Sequence, residues 1–139
     1  MTFDPGQQGW KLQRDPENPG FTGLTGPFWA RQEGDGLWAY AFQAQLKHLN
    51  GRGMVHGGML MTFADQALGK TVYHAVDRQP CVTVSLNNQF VAPAREGDFL
   101  EGRGRIVRRT RSLVFIQGGL SVAGNDVLVC DGIWKILGQ

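Results

Sequence analysis

The stretch His48-Leu49-Asn50-Gly51-Arg52-Gly53-Met54-Val55-His56-Gly57-Gly58-Met59-Leu60-Met61-Thr62-Phe63-Ala64-Asp65 turns from a glycine-punctuated loop into a helical repeat within a few residues. From Gly57 to about Ala75 the apolar positions recur at helical spacing. Leu60, Ala64, Ala67 and Thr71, with Met61, Leu68 and Val72 beside them, form one broad stripe. This is the single long helix the sequence predicts. Two glycines and no ordinary capping side chain begin it, which is a poor way merely to start a helix.

Outward from the helix the pattern is that of strands. On its N-terminal side Gly34-Asp35-Gly36 marks a turn, and residues 37–46 alternate, with Trp38, Tyr40, Phe42, Ala44 and Leu46 on one face. On its C-terminal side four β-like segments follow Pro80, over residues 81–91, 99–107, 113–122 and 127–137. In the first of them Val82, Val84 and Leu86 are expected opposite Thr83, Ser85 and Asn87. One strand, one long helix and an antiparallel meander describe an α+β domain, and only that helix can cover the sheet. Residues 1–35 are rich in Gly, Pro, Asn and Asp, with Trp10, Phe21, Phe28 and Trp29 among them. They read as an arm packed on a domain spanning 36–139, its aromatic anchors sealing the core or lining a pocket.

The bulk properties exclude several classes. With 139 residues, 42% hydrophobic and 19% charged, the chain is an ordinary single globular domain. A net charge of +2 is too small to advertise nucleic acid or an anionic membrane as partner. No apolar run approaches the roughly 20 residues of a bilayer span, and no secretory signal opens the chain, so a cytoplasmic address is expected. Cys81 and Cys130 lie far apart without metal-ligand spacing and read as buried reduced thiols, and no metal or separate cofactor is expected.

The chemistry concentrates in the opening stretch. The Gly57 and Gly58 amides lie in the first helical turn, where backbone donors lack intrahelical acceptors, and they suit an oxyanion or a polarised carbonyl. His56 precedes them and can orient the turn. Asp65, eight residues on, stands beside Met61 and Leu68, where partial desolvation would suit a base or nucleophile. At 1.5 Å per residue it is roughly 12 Å along the axis, too far to attack a carbonyl held at Gly57 of its own chain. An antiparallel second copy of the helix would bring the two together, which points to a symmetric dimer with shared sites. Alone, each piece has a plainer reading: a surface carboxylate, a structural histidine, a tight turn, an Asx turn at Asn50.

The ordered set His48-x-Asn50-x-x-Gly53-x-x-His56-Gly57-Gly58, then Asp65 with Ala67 and Gly69, resembles the signature of the hotdog-fold thioesterase superfamily. Within it the set is similar to the branch of the phenylacetate-pathway (PaaI-like) thioesterases and the human thioesterase superfamily member 2. The resemblance covers about residues 37–137. It implies a hotdog fold, one central helix wrapped by a curved antiparallel sheet of five to six strands, assembled as a dimer or a tetramer of paired dimers. It implies an acyl-CoA thioesterase in which Asp65 is general base or nucleophile and the other protomer's Gly57 amide polarises the carbonyl. Asn50 and His56 would shape the site, Gly58 would border it, and Thr83 would stand near the catalytic water, with Ser85 a weaker alternative. Arg103, Arg105, Arg108, Arg109 and Arg111 crowd one strand and turn; by the resemblance, Arg108 to Ser112 would meet the nucleotide end of CoA. A solvated basic edge is the plainer reading. Two further readings stay open: a hotdog hydratase or dehydratase, and a non-catalytic acyl-CoA binder. The small residues Ala64, Ala67 and Gly69 would admit either an aromatic or an aliphatic acyl group.

Overall fold

In a computed structural model, described for residues 3–13 and 20–138, a curved antiparallel sheet wraps one long helix. Residues 1–2, 14–19 and 139, parts of the expected arm and the chain end, lie outside the described residues. The elements are β1 (Lys11–Gln13), α1 (Phe21–Thr25), β2 (Phe28–Gly34), β3 (Leu37–Gln43), α2 (Gly57–Ala75), β4 (Cys81–Phe90), β5 (Phe99–Arg109), β6 (Leu113–Val122) and β7 (Asn125–Ile136). The sheet order is β1-β2-β3-β5-β6-β7-β4, so it has seven strands instead of the five or six expected. The excess comes from the N-terminal segment, whose β2 and β1 extend the sheet beyond β3. The turn-rich composition of residues 1–35 hid them: β1 is three residues long, and neither strand carries a long alternating apolar run.

The core lies between α2 and the concave face of the sheet. Met59, Leu60, Phe63, Ala64, Ala67, Leu68 and Val72 are the buried face of α2. Phe63 belongs at its centre, stacked on Phe28 at 5.8 Å and edge-on to Phe42 at 4.8 Å between centroids. Met61, expected in the stripe, is exposed instead, because it falls one residue past the buried Leu60 and turns away from the sheet. Leu46 is exposed too; it sits in a 3-10 turn, Leu46–His48, after β3 has ended. Gly102 on β5 lets the helix approach closely, since a Cβ there would meet Ala67 Cβ at 2.9 Å.

The convex face has its own small cluster. Trp10 packs over the small buried side chains Ala39 and Ala41, with Trp29 and Phe99 beside them. Arg31 lies over the Trp10 ring at 4.3 Å and joins Glu33, Glu101 and Arg103 in a network that crosses β3. Arg103 grips Glu33 through two hydrogen bonds, 2.7 and 2.8 Å, and they hold the Glu33 carboxyl down at about 2. Trp10 and Phe28 seal, whereas Phe21 is exposed beside a recess described below.

One irregularity in β4 matters for the site. Thr83 pairs with Trp134 and Ser85 with Ile133, so Val84 is an extra residue without a partner. Such a bulge slips the pleat by one and exchanges the faces beyond it. Cys81, Thr83, Leu86, Asn88 and Phe90 pair with the buried residues Ile136, Trp134, Gly132, Cys130 and Leu128, and so face α2. The regular alternation expected for this strand fails at this point.

Candidate active site

The inward row of β4 runs along the first half of α2. At one end the Phe90 ring lies against Gly57, where a Cβ would meet Phe90 Cε1 at 3.3 Å. At the other, Thr83 Oγ1 donates a 2.6 Å hydrogen bond to Asp65 Oδ1. This is a short, charge-assisted bond that fixes the carboxylate and leaves Oδ2 free to accept a proton. The bulge decides which hydroxyl does this. Ser85, which regular alternation would put on Thr83's face, pairs with Ile133 on the convex side. Asp65 itself is exposed, so this chain does not supply the desolvation expected for it.

The start of α2 corrects a second expectation. The helix does have a side-chain cap: His56 is the N-cap, and its Nδ1 accepts from the Gly58 amide at 2.8 Å. Nδ1 is thereby the acceptor, which leaves the ring proton of neutral His56 on Nε2. Of the two glycine amides, Gly58's is spent; the Gly57 amide has no acceptor among the described residues. It remains as a donor at the positive end of a 19-residue helix.

Asn50 does form the Asx turn that was its plainer reading. Its Oδ1 accepts from the Arg52 and Met54 amides at 2.8 and 3.2 Å. Yet it also lines a recess with Gly57, Leu60 and Phe90, so the turn holds the asparagine at the helix start. A second recess, bounded by Phe21, Gly58, Met61, Thr62, Asp65, Gln66, Leu86 and Asn88, continues along the helix. A third, around Asp65, Gln66, Gly69, Lys70, Cys81 and Thr83, lies beyond. Gln66, Leu86 and Asn88 were missed by sequence reasoning, and Phe21 was read only as one of the arm's aromatic anchors. Leu86 and Asn88 are invisible without the bulge, and Phe21 reaches the site only because the chain folds back. A 2.6 Å contact between His48 Nε2 and the Thr25 carbonyl anchors α1 there. His48 Nδ1 accepts from the Gln45 amide, and burial holds this histidine's pKa below its ordinary value.

Other expected residues do not join the site. Ala64 and Ala67 are wholly buried under the sheet and line none of these recesses; only Gly69 does. Arg108, Arg109 and Arg111 are exposed and Ser112 half-buried at the β5–β6 turn, and none lines the three recesses described above. Arg109 donates to the Ala75 carbonyl at the far end of α2. Arg103 and Arg105 are engaged with carboxylates and with Gln117. Both cysteines are free; burial raises the Cys81 thiol and pushes Cys130 up to about 11. Among the described residues no helix is long and apolar enough to cross a membrane.

Known proteins match this arrangement. Residues 52–128 fit the family model of the thioesterase superfamily. A proposed esterase from Pseudomonas aeruginosa is 33% identical over 114 residues, covering 81% of this chain and 85% of that protein. Two solved structures superpose well. One is a thioesterase-assigned, phenylacetic acid degradation-related protein from Ralstonia eutropha, with TM-score 0.74, 29% identity and coverage of 89% of this chain and 92% of that one. The other is a Bacillus halodurans protein solved with CoA, with TM-score 0.73, 26% identity and coverage of 79% and 74%. By its family match, its relatives and its fold, the chain belongs to the thioesterase superfamily and is a thioester hydrolase of its hotdog, PaaI-like branch.

Proposed function

We propose that this protein hydrolyses acyl-CoA thioesters in a dimer whose two sites each combine Asp65 of one protomer with Gly57 of the other. The observation that carries the reading is the separation of two prepared halves. Asp65 is oriented by Thr83, the Gly57 amide has no partner among the described residues, and eight residues of helix keep them roughly 12 Å apart in one chain. Antiparallel docking of two α2 helices closes that gap. The surface suits such docking. β4 is an edge of the sheet among the described residues, with Val82, Val84 and Val91 exposed on or just after it, and Met61 and Tyr73 are exposed on α2. An unpaired, apolar edge strand invites pairing with a second copy.

In the proposed reaction the thioester oxygen accepts from the Gly57 amide, with the Asn50 carboxamide nitrogen alongside. Asp65 Oδ2 takes a proton from water as the water oxygen bonds to the carbonyl carbon. Negative charge gathers on the oxygen held at the positive end of α2, where a fixed donor lowers the barrier most. Collapse breaks the carbon–sulfur bond and releases the free acid and the CoA thiolate, which takes the proton held on Asp65 and so regenerates the carboxylate. Attack by Asp65 itself is the covalent variant of the same geometry. CoA enters only as part of the substrate, and no step calls for a metal. The CoA bound by the Bacillus halodurans relative supports the choice of thiol.

The test is thiol release from a panel of aryl- and alkyl-CoA esters, run beside hydration of an enoyl-CoA. Asp65→Asn should cut turnover by about 10²–10⁴-fold, the range for a positioned general base, while CoA binding persists. Unchanged turnover in that variant removes Asp65 from catalysis; hydration without thiol release would favour the hydratase reading.

A further inference from the structure

We propose that Asn88 binds the thiol side of the substrate, its carboxamide oxygen accepting a hydrogen bond from the cysteamine amide N–H beside the thioester sulfur. This rests on reading the site as an acyl-CoA thioesterase. Asn88 is in the inward row of β4, between Leu86 and Phe90, and borders the recess of about 360 Å³ that also contains Gly58 and Asp65. Its Oδ1 is buried and has no hydrogen-bond partner among the described residues. An orphaned buried acceptor is costly and rare, and at a cleft it marks a place where an incoming donor is received.

Two of the protein's own donors in the recess are committed elsewhere. The Gly58 amide goes to His56 and the Thr62 hydroxyl to the Gly58 carbonyl, while Gln66 makes no bond to Asn88. Thr83 is spent on Asp65, five residues back along the strand. Position selects the donor. Phe90 touches Gly57, and Asn88 lies two residues before it, roughly 7 Å along the strand. In a CoA thioester the first N–H lies a few bonds from the carbonyl carbon, across sulfur and two methylenes. Every CoA thioester carries that donor, whatever its acyl group. A carbonyl at the Gly57 amide therefore leaves the cysteamine amide within reach of Asn88.

The experiment pairs variants with truncated substrates. Wild type, Asn88→Leu and Asn88→Asp are assayed for thiol release from three thioesters of one acid: the CoA ester, the N-acetylcysteamine ester, and an S-propyl ester that lacks the amide. Wild-type turnover of the CoA ester tests the thioesterase reading by itself. Given that turnover, Asn88→Leu should lose about five- to tenfold in kcat/KM on the two amide-bearing esters and nothing on the S-propyl ester. Asn88→Asp keeps an acceptor oxygen and should restore the preference for the amide. Leucine replaces an unpaired acceptor with a side chain of similar size, so that variant should melt no lower than wild type. Equal losses on all three esters would mean that Asn88 holds water or shapes the strand, and would overturn the proposal, as would no loss on any.

Discussion

Replacing Thr83 by valine tests the site at its best-defined contact. Valine keeps the branched shape and removes only the hydroxyl that donates 2.6 Å to Asp65 Oδ1. A hydrogen bond to a charged group contributes about 1.5–3 kcal/mol, and the exposure of Asp65 in the single chain favours the lower end because water can partly replace the donor. About 1.5 kcal/mol of lost orientation corresponds to roughly a tenfold fall in kcat/KM, since 1.36 kcal/mol is one decade. The fall should appear mainly in kcat, because Thr83 touches the base and not the proposed carbonyl site. Thr83→Ser retains the hydroxyl and should stay within about threefold of wild type. Ser85→Ala should change nothing, as the bulge pairs Ser85 with Ile133 on the convex face. The assay is thiol release from a single acyl-CoA at several concentrations. If Ser85→Ala loses the tenfold and Thr83→Val does not, both the bulge and the Asp65–Thr83 pairing are refuted.

Three other outcomes follow from the same geometry. Val82→Asp places a charge on the exposed edge of β4; it should convert the assembly to monomers by light scattering and abolish most activity, and a fully active monomer would refute the shared site. Glu33→Gln breaks its ion pairs with Arg103 and Arg31 and should cost about 1 kcal/mol at pH 7, an exposed network giving little more. The Glu33 carboxyl is held down at about 2 against an ordinary value of 4.5, so its contribution is complete above 4.5 and lost as pH falls toward 2. Melting curves of wild type and variant should converge across that window; a gap unchanged at pH 2 would refute the pairing. Cys130, buried and pushed up to about 11, should resist a thiol reagent at pH 8 until the protein is unfolded in denaturant, and rapid labelling of the native protein would contradict its burial.

Much of the architecture was legible because periodicity is a local property. The α2 boundaries at Gly57 and Ala75, and the strands after Pro80, follow from the spacing of apolar residues and the glycine and proline breaks between them. Asp65, His56, Gly57 and Asn50 were legible as a set because they share one loop and helix. What each does in that set was less so. The His56 cap removed the Gly58 amide from the available donors, and the Asx turn consumed the oxygen of Asn50. The Arg108 to Ser112 turn, expected at the nucleotide end of CoA, lies outside the three recesses described around Gly57 and Asp65 within one chain.

By itself the sequence determined one long apolar-faced helix, a following antiparallel meander, and a carboxylate two turns beyond a glycine-started helix, since all of these are set by neighbours along the chain. Tertiary structure alone decided which hydroxyl meets Asp65, that Asn88 and Leu86 face the helix, and that the N-terminal segment adds strands and brings Phe21 to the recess. The physical reason is a single unpaired residue. Strand faces alternate with a period of two, so the bulge at Val84 exchanges inside and outside for every position after it, and its presence is set by pairing with β7, a strand far along the chain, where Thr83 meets Trp134 and Ser85 meets Ile133.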